Sequence, residues 1–155
     1  MLLLLPKSFE VKALSERILT WNLQRKSSRA EAIVDAIRRH DPKILCLQEV
    51  NGSLLRCLRD AFAEFEFVLE NTSESELFSV VGVPNDTLEL HSHGGPLHLS
   101  ERLVLASSRG MFVCSSHVPP ATNGPEHKTA HFERLRLIMA EHQDHPFLLA
   151  GDFNS

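Results

Sequence analysis

The chain has 155 residues, of which 43% are hydrophobic and 23% are charged, and its formal net charge is −4. These values fit one ordinary globular domain over residues 1–155. The acidic balance gives no basic footprint for non-specific binding of long duplex nucleic acid. Cys46, Cys57 and Cys114 show no CxxC spacing, which argues against a disulfide framework and a zinc knuckle. The apolar start of the chain ends at Pro6 without a signal-peptide pattern, and no stretch approaches transmembrane length. We therefore expect an intracellular protein of the cytoplasm or nucleus, not a secreted or membrane protein.

The first half of the chain predicts a strand, helix, strand unit. Residues 9–14 and 17–23 have the composition of strands, and the second of these ends at Asn22. Ser28 and Glu31 have capping-box spacing and predict the start of a helix. Its apolar stripe consists of Ala30, Ile33, Val34 and Ile37. Asp41-Pro42 ends this helix, and a strand follows over 43–49. This unit predicts two parallel neighbouring strands.

The second half alternates shorter strands with two more helices. Asn51 is a predicted cap for a helix that buries Leu54, Leu55, Leu58, Ala61 and Phe62. Strands are predicted over 65–70, 77–83 and 87–91, with a loop at 92–96. A hairpin is predicted from 102–106 and 111–118. The last helix, over 127–142, has Phe132, Leu135, Ile138 and Met139 as its stripe, and a final strand begins at Phe147.

Polar residues that are able to bind a metal follow four of these apolar strands. They are Asn22, Glu49, His117, and the pair Asp152 and Asn154. The members of this pair alternate around Phe153, so we expect both to point to one face of the strand while Phe153 points to the core. Oxygen-rich groups of this kind suit Mg²⁺ or Mn²⁺, and such a metal suits phosphate chemistry. Each residue also has a plain interpretation: a charged strand end for Glu49, a turn for Asn22, and an Asx turn for Asp152 to Asn154. For His117 it is an ordinary surface or core histidine. Gly151 allows a close backbone approach or an unusual dihedral.

In order along the chain, Trp21-Asn22, Leu47-Gln48-Glu49, Ser116-His117 and Gly151-Asp152-Phe153-Asn154 resemble the motifs of the endonuclease/exonuclease/phosphatase (DNase I-like) superfamily. The first three look most like its tyrosyl-DNA phosphodiesterase 2 branch, and the last looks more like its deadenylase branch. The resemblance implies an α/β fold, a two-sheet sandwich flanked by helices, with the second sheet incomplete. It also implies Mg²⁺-dependent (or Mn²⁺-dependent) hydrolysis of phosphoesters, with DNA, RNA, phosphotyrosyl-DNA and small phosphoesters as candidate substrates.

The resemblance also implies roles for the residues at the strand ends. Glu49 matches the principal metal ligand, and Asn22 matches the family's asparagine near the metal. Asp152 and Asn154 match the pair that positions the nucleophile and the phosphate. His117 matches the histidine that contacts the phosphate.

Two family features have no match in these 155 residues. The family pattern continues to a closing Ser-Asp-His segment, and it includes an active-site tyrosine, whereas this sequence contains no tyrosine. Asp144-His145 is a poor substitute, because a strand of roughly 23 Å separates it from Asp152. The alternative expectation is therefore a non-catalytic truncated form that at most binds a metal or a partner.

Overall fold

The computed structural model describes residues 17–24, 26–69, 77–90 and 102–154. The predicted strand at 9–14 and the predicted loop at 92–96 lie outside these residues. Within them the chain forms eight strands and three α-helices. The strands are β1 (Ile18–Asn22), β2 (Ile44–Val50), β3 (Phe65–Val68), β4 (Phe78–Pro84), β5 (Leu88–Leu90), β6 (Leu103–Ser108), β7 (Met111–His117) and β8 (Phe147–Asp152). The helices are α1 (Ala30–His40), α2 (Gly52–Ala61) and α3 (Pro125–Glu141).

The strands form two four-stranded sheets, with orders β1-β2-β4-β3 and β5-β6-β7-β8. β1 and β2 are parallel, as the strand, helix, strand pattern predicts, and β7 and β8 form a second parallel pair. The other pairings are antiparallel, and they include the predicted hairpin of β6 and β7. Each sheet therefore carries one parallel pair, whose two strands end at the same edge.

The two sheets pack face to face and helices cover both outer faces, which confirms the predicted sandwich. Between the sheets lies a cluster of small and branched side chains that includes Ile44, Cys46, Val81, Val104 and Val113. α1 and α2 pack on the outer face of the first sheet through residues such as Ile37 and Leu54. α3 packs on the outer face of the second sheet through Leu135 and Ile138.

The first two helices differ in how they begin. The predicted capping box at Ser28 is absent: a 3₁₀ turn over Ser27–Arg29 precedes α1, and Arg29 is its cap, without a side-chain hydrogen bond. The helix ends at His40, just before Asp41-Pro42 as predicted, and its cap Asp41 has a left-handed conformation. Asn51 caps α2 as predicted, because its side-chain oxygen accepts a hydrogen bond from the Leu54 N–H at 2.9 Å.

The buried face of α3 differs from the predicted stripe. Phe132 is 43% exposed, whereas His131 is fully buried. His131, Leu135 and Ile138 are spaced i, i+4, i+7 and therefore share one helix face. A histidine thus takes the place in the core that we had predicted for a phenylalanine.

The edge strands of the two sheets are only partly covered. Every residue of β8 is partly exposed, although most of the strand is apolar. β1 is the outer strand of the first sheet, and Ile18 and Trp21 are 38% and 39% exposed.

No helix in the described part of the chain is long and apolar enough to cross a membrane. Cys46 and Cys114 are buried core residues as predicted, and Cys57 is exposed.

Gly151 lets β8 approach β7. It is paired with Ser116, it has φ 153°, and a Cβ atom at this position would lie 1.8 Å from the Ser116 carbonyl oxygen. A side chain therefore has no space unless the two strands separate. This confirms the close approach that the sequence predicted for this glycine.

We expect Gly151→Ala to lower the free energy of unfolding by about 3 kcal/mol or more, because a backbone atom blocks the new methyl group. Gly110→Ala is the matched control: Gly110 also has a positive φ (75°), but nothing lies within 4 Å of its Cβ position. Its cost should be only the conformational one, about 1–2 kcal/mol. Urea unfolding of both variants checks this prediction, and equal losses would contradict it.

Candidate active site

The ends of four strands meet at one edge of the sandwich. β1 and β2 contribute Asn22 and Glu49, and β7 and β8 contribute His117 and Asp152, which are paired in register. Asn22 donates hydrogen bonds to Glu49 and to Asp152, and His117 Nε2 lies 3.6 Å from Glu49 Oε1. The predicted cluster is therefore formed, with side chains from both sheets.

Asn22 holds the two carboxylates together through a single nitrogen. Its Nδ2 atom lies 3.1 Å from Glu49 Oε1 and 2.8 Å from Asp152 Oδ2. An amide nitrogen has two hydrogens, so one is available for each carboxylate. The amide oxygen accepts a hydrogen bond from the Gln24 N–H at 2.9 Å. Asn22 thus presents its nitrogen to the cluster, and direct metal ligation by its oxygen would require the amide to turn over.

Glu49 lies at an irregular point of β2. The register with β4 shifts between Leu47 and Val50, and Glu49 has φ 54°. A left-handed conformation costs a residue with a side chain about 1–3 kcal/mol, and such strain concentrates at functional sites. A bulge also redirects the side chains beside it. Here the irregularity lets Glu49 reach Asn22 while Val50 remains buried.

Asp152 ends β8 and remains ionised. The hydrogen bond from Asn22 is the main cause that lowers the pKa of the Asp152 carboxyl. Partial burial opposes this effect, while the Asn154 N–H and the nearby His117 lower the pKa further. At neutral pH the carboxylate is therefore a negative acceptor that is available to a cation or a water molecule.

Asn154 is near Asp152 but does not share a strand face with it. β8 ends at Asp152, and the Asn154 N–H donates to Asp152 Oδ1 at 3.0 Å, so the residues form the Asx turn that was the alternative interpretation. Asn154 has φ 42°, and its side-chain Nδ2 donates to the Val118 carbonyl at 2.7 Å. Phe153, which we predicted to point to the core, is 39% exposed. The prediction assumed that the strand continues through this motif, whereas the Asx turn ends it.

His117 has a defined orientation. Arg102 Nη1 lies 3.2 Å from His117 Nδ1. Because arginine can only donate hydrogen bonds, Nδ1 must be the unprotonated nitrogen in this contact. The ring proton of the neutral tautomer is then on Nε2, the atom that faces Glu49. His117 is thus prepared to donate a hydrogen bond into the site.

Several residues that support the site were missed from the sequence. The buried Gln48 donates to Ser115 Oγ at 3.0 Å and joins the two sheets directly behind the cluster. Lys128 donates to the Asn154 carbonyl at 2.7 Å. Gln48 and Ser115 are polar residues inside apolar strands, and this is a signal that the sequence analysis had available. Nothing local in the sequence marks Arg102 or Lys128.

His131, on α3, is buried and contacts Ser116, the residue before His117. Its Nε2 atom lies 2.8 Å from Ser116 Oγ, and its Nδ1 atom has no hydrogen-bond partner among the described residues. The pKa of His131 is lowered to about 4, mainly by burial and then by electrostatic interaction with Arg102 and His117. It is therefore neutral in the folded protein at neutral pH. The helical spacing to Leu135 and Ile138 could have identified its buried position.

The cluster suits a hydrated metal better than a protein cage. No group of three or more His, Cys, Asp or Glu side chains in the described ranges is arranged to hold a metal ion. Two facing carboxylates, Glu49 and Asp152, are what Mg²⁺ typically uses, because it keeps several of its waters. Their oxygen chemistry fits Mg²⁺ or Mn²⁺ and does not fit a structural zinc site.

The chain belongs to the endonuclease/exonuclease/phosphatase family, whose sequence model matches residues 19–155. Solved structures with the same fold include D. rerio TDP2 complexed with single strand DNA product, at TM-score 0.67 and 16% identity, covering 91% of this chain and 62% of that chain. Truncated Caenorhabditis elegans TDP2 has TM-score 0.67 and 18% identity, covering 90% and 62%. ANGEL2, a 2',3'-cyclic phosphatase, has TM-score 0.60 and 16% identity, covering 90% and 53%. No curated protein sequence matches this chain. The chain thus spans about 62% of the length of these TDP2 chains.

We expect His131 to make the protein sensitive to acid. The pKa of a histidine is about 6.5 in the unfolded chain and about 4 here, so the unfolded state binds more protons between these values. Stability should be full above pH 6.5 and should fall by a few kcal/mol as the pH drops towards 4. His131→Gln, which keeps a polar group near Ser116 but does not titrate, should remove this part of the pH dependence. Urea unfolding at pH 7 and pH 4.5 measures it.

His40→Gln is the control, because His40 is exposed on the last turn of α1. It should leave the difference in stability between the two pH values unchanged. A His131→Gln variant with the same acid loss as the wild type would contradict the prediction.

Proposed function

We propose that this chain belongs to a Mg²⁺- or Mn²⁺-dependent phosphoester hydrolase. The observation that carries the proposal is the Asn22 amide, which holds Glu49 and Asp152 side by side at 3.1 and 2.8 Å. Family membership supports the reaction class. Within this class, we infer that Glu49 and Asp152 hold the divalent ion.

The bound ion would neutralise phosphate charge and make a coordinated water a better nucleophile. Asp152, whose pKa is lowered, supplies a carboxylate that accepts a hydrogen bond from the attacking water. Asn154, held against Asp152 by the Asx turn, lies beside this position, and its amide nitrogen donates a hydrogen bond to the Val118 carbonyl.

His117 would bind the phosphoryl group. Arg102 fixes the tautomer with the proton on Nε2, so the ring donates a hydrogen bond where negative charge develops. The carboxylate of Glu49 at 3.6 Å keeps the ring directed into the cluster before substrate binds. Positioning and charge stabilisation, not covalent catalysis, are therefore the roles of these side chains.

The candidate substrates are nucleic-acid phosphodiesters and smaller phosphoesters. A structure with this fold holds a single strand DNA product, and another is named as a 2',3'-cyclic phosphatase.

The three free cysteines support an intracellular location, where a reducing environment keeps thiols free.

A second candidate function is metal or partner binding without efficient turnover by residues 1–155. It is favoured by the sequence, which contains no tyrosine and no Ser-Asp-His segment to match those of the family. Loss of a positioned acid or base group typically costs about 10²–10⁴ in rate. On this alternative the cluster binds a metal but the chain hydrolyses phosphodiesters very slowly.

We expect Glu49→Gln to weaken binding of Mn²⁺ at least tenfold and to lower Mn²⁺-dependent hydrolysis about 10²-fold, because an amide replaces an anionic ligand. The fold should be unchanged, since Glu49 is partly exposed at a strand end. Titration calorimetry with Mn²⁺ and hydrolysis of a nitrophenyl phosphodiester measure the two effects.

Glu66→Gln is the matched control, because Glu66 is an exposed glutamate on β3, outside the cluster. It should bind Mn²⁺ as the wild type does. Metal binding that Glu49→Gln weakens, without measurable turnover in the wild type, would select the second candidate. Metal binding unaffected by Glu49→Gln would contradict both candidates.

A further inference from the structure

A cavity of about 340 Å³ lies beside the last residues of β1, and the candidate mechanism does not use it. It is bordered by Trp21, Asn22, Gln24, Lys26 and Arg29. Asn22 is also the residue that joins Glu49 and Asp152, so the cavity borders the candidate active site. Its volume is within the range of small-ligand sites.

The cavity and the cluster lie on opposite faces of the first sheet, on either side of the end of β1. Trp21 is in register with Leu47, whose side chain belongs to the helix-facing core. Successive residues of a strand point to opposite faces, so Asn22 faces the other sheet while Trp21 faces the α1 side. A ligand that extends from the cluster into the cavity therefore crosses the turn that follows Asn22.

The lining of the cavity combines an apolar floor with a cationic rim. Leu23 and Ile33 are buried beneath it, and Trp21 is 39% exposed beside it. Lys26 and Arg29 are both exposed. Among the described residues, neither of these two cations has an ion-pair partner. The cations on the other side of the cluster are already engaged, Arg102 by His117 and Lys128 by the Asn154 carbonyl.

We propose that this cavity binds the nucleotide next to the scissile phosphate of a single-stranded nucleic acid, with Lys26 and Arg29 on its phosphate and Trp21 against its base. Aromatic stacking together with unpaired cations is the chemistry by which proteins bind single strands. The chain as a whole has a negative net charge, whereas this cavity is lined by two cations that have no ion-pair partner among the described residues. This inference rests on the proposed function, since it names the substrate class of the same site.

The first test is equilibrium binding of a fluorescein-labelled ten-nucleotide oligo-dT in EDTA, where no turnover occurs. A variant with both Lys26→Ala and Arg29→Ala should bind about tenfold or more weakly at low salt. Each phosphate that the protein neutralises contributes about 0.7 to the slope of log affinity against log salt for single strands. Because Lys26 and Arg29 share one phosphate, the slope should fall by about 0.7.

The control removes two exposed arginines outside the cavity, Arg39→Ala with Arg56→Ala. It should leave the slope nearly unchanged. A loss of affinity in the control equal to that of the cavity variant would overturn the proposal, because the effect would then be one of net charge.

The second test separates the base from the phosphate. Trp21→Leu should weaken binding of the oligonucleotide roughly 5- to 100-fold, the usual range for a stacked base, and Trp21→Phe should retain most of the affinity. Binding of an abasic oligomer of the same length should be unaffected by Trp21→Leu. Equal losses with both oligomers would overturn the role of Trp21.

Hydrolysis of bis(4-nitrophenyl) phosphate with Mn²⁺ distinguishes this proposal from the proposed function. The variant that lacks Lys26 and Arg29 should keep the wild-type rate on this small substrate. If hydrolysis is normal and oligonucleotide binding does not depend on Lys26 and Arg29, the nucleotide site is overturned while the hydrolase proposal stands. Absent hydrolysis with the expected binding pattern would support the site and overturn the hydrolase.

Discussion

The Asn22 amide uses both of its hydrogens to join carboxylates that come from two different sheets. Glu49 belongs to the first sheet and Asp152 to the second, so this one side chain aligns the ends of the two parallel strand pairs. Two carboxylates that contact the same nitrogen repel each other, and this shared donor reduces the repulsion before any cation binds. The lowered pKa of Asp152 is the electrostatic consequence.

Hydrogen bonds between distant parts of the chain connect the buried polar side chains that form a layer behind this contact. Gln48 and Ser115 link the sheets, and Ser116 continues the connection to His131 on α3. Buried polar groups are costly unless they are paired, so such a layer favours one relative position of the sheets over others. Among the described residues His131 Nδ1 has no hydrogen-bond partner, so this is where acid destabilises the layer.

Local strain concentrates around the same site. Glu49 is left-handed, Asn154 is left-handed, and Gly151 approaches the Ser116 carbonyl more closely than any side chain would allow. Each feature costs stability. Each also positions either a polar group of the cluster or the strand that carries one. This is the pattern expected where geometry for chemistry is maintained by a well-packed scaffold.

The sequence by itself determined the order of the elements and the membership of the cluster, because hydrophobic periodicity and polar strand ends are local signals. The two-sheet sandwich was implied by the resemblance of the chain's motifs to those of the family. The sequence correctly predicted the parallel pairing of β1 and β2, the Asn51 cap and the close approach at Gly151. It gave the turn that places Asn154 only as the alternative interpretation, and it did not predict the exposure of Phe132 and Phe153 or the burial of His131. Only the tertiary structure decided these, since a helix face becomes the inner face, and a strand end becomes a turn, through contacts with residues far away in the chain. The tautomer of His117 was also decided by the tertiary structure. It depends on Arg102, fifteen residues earlier, which reaches the ring only because β6 and β7 are paired.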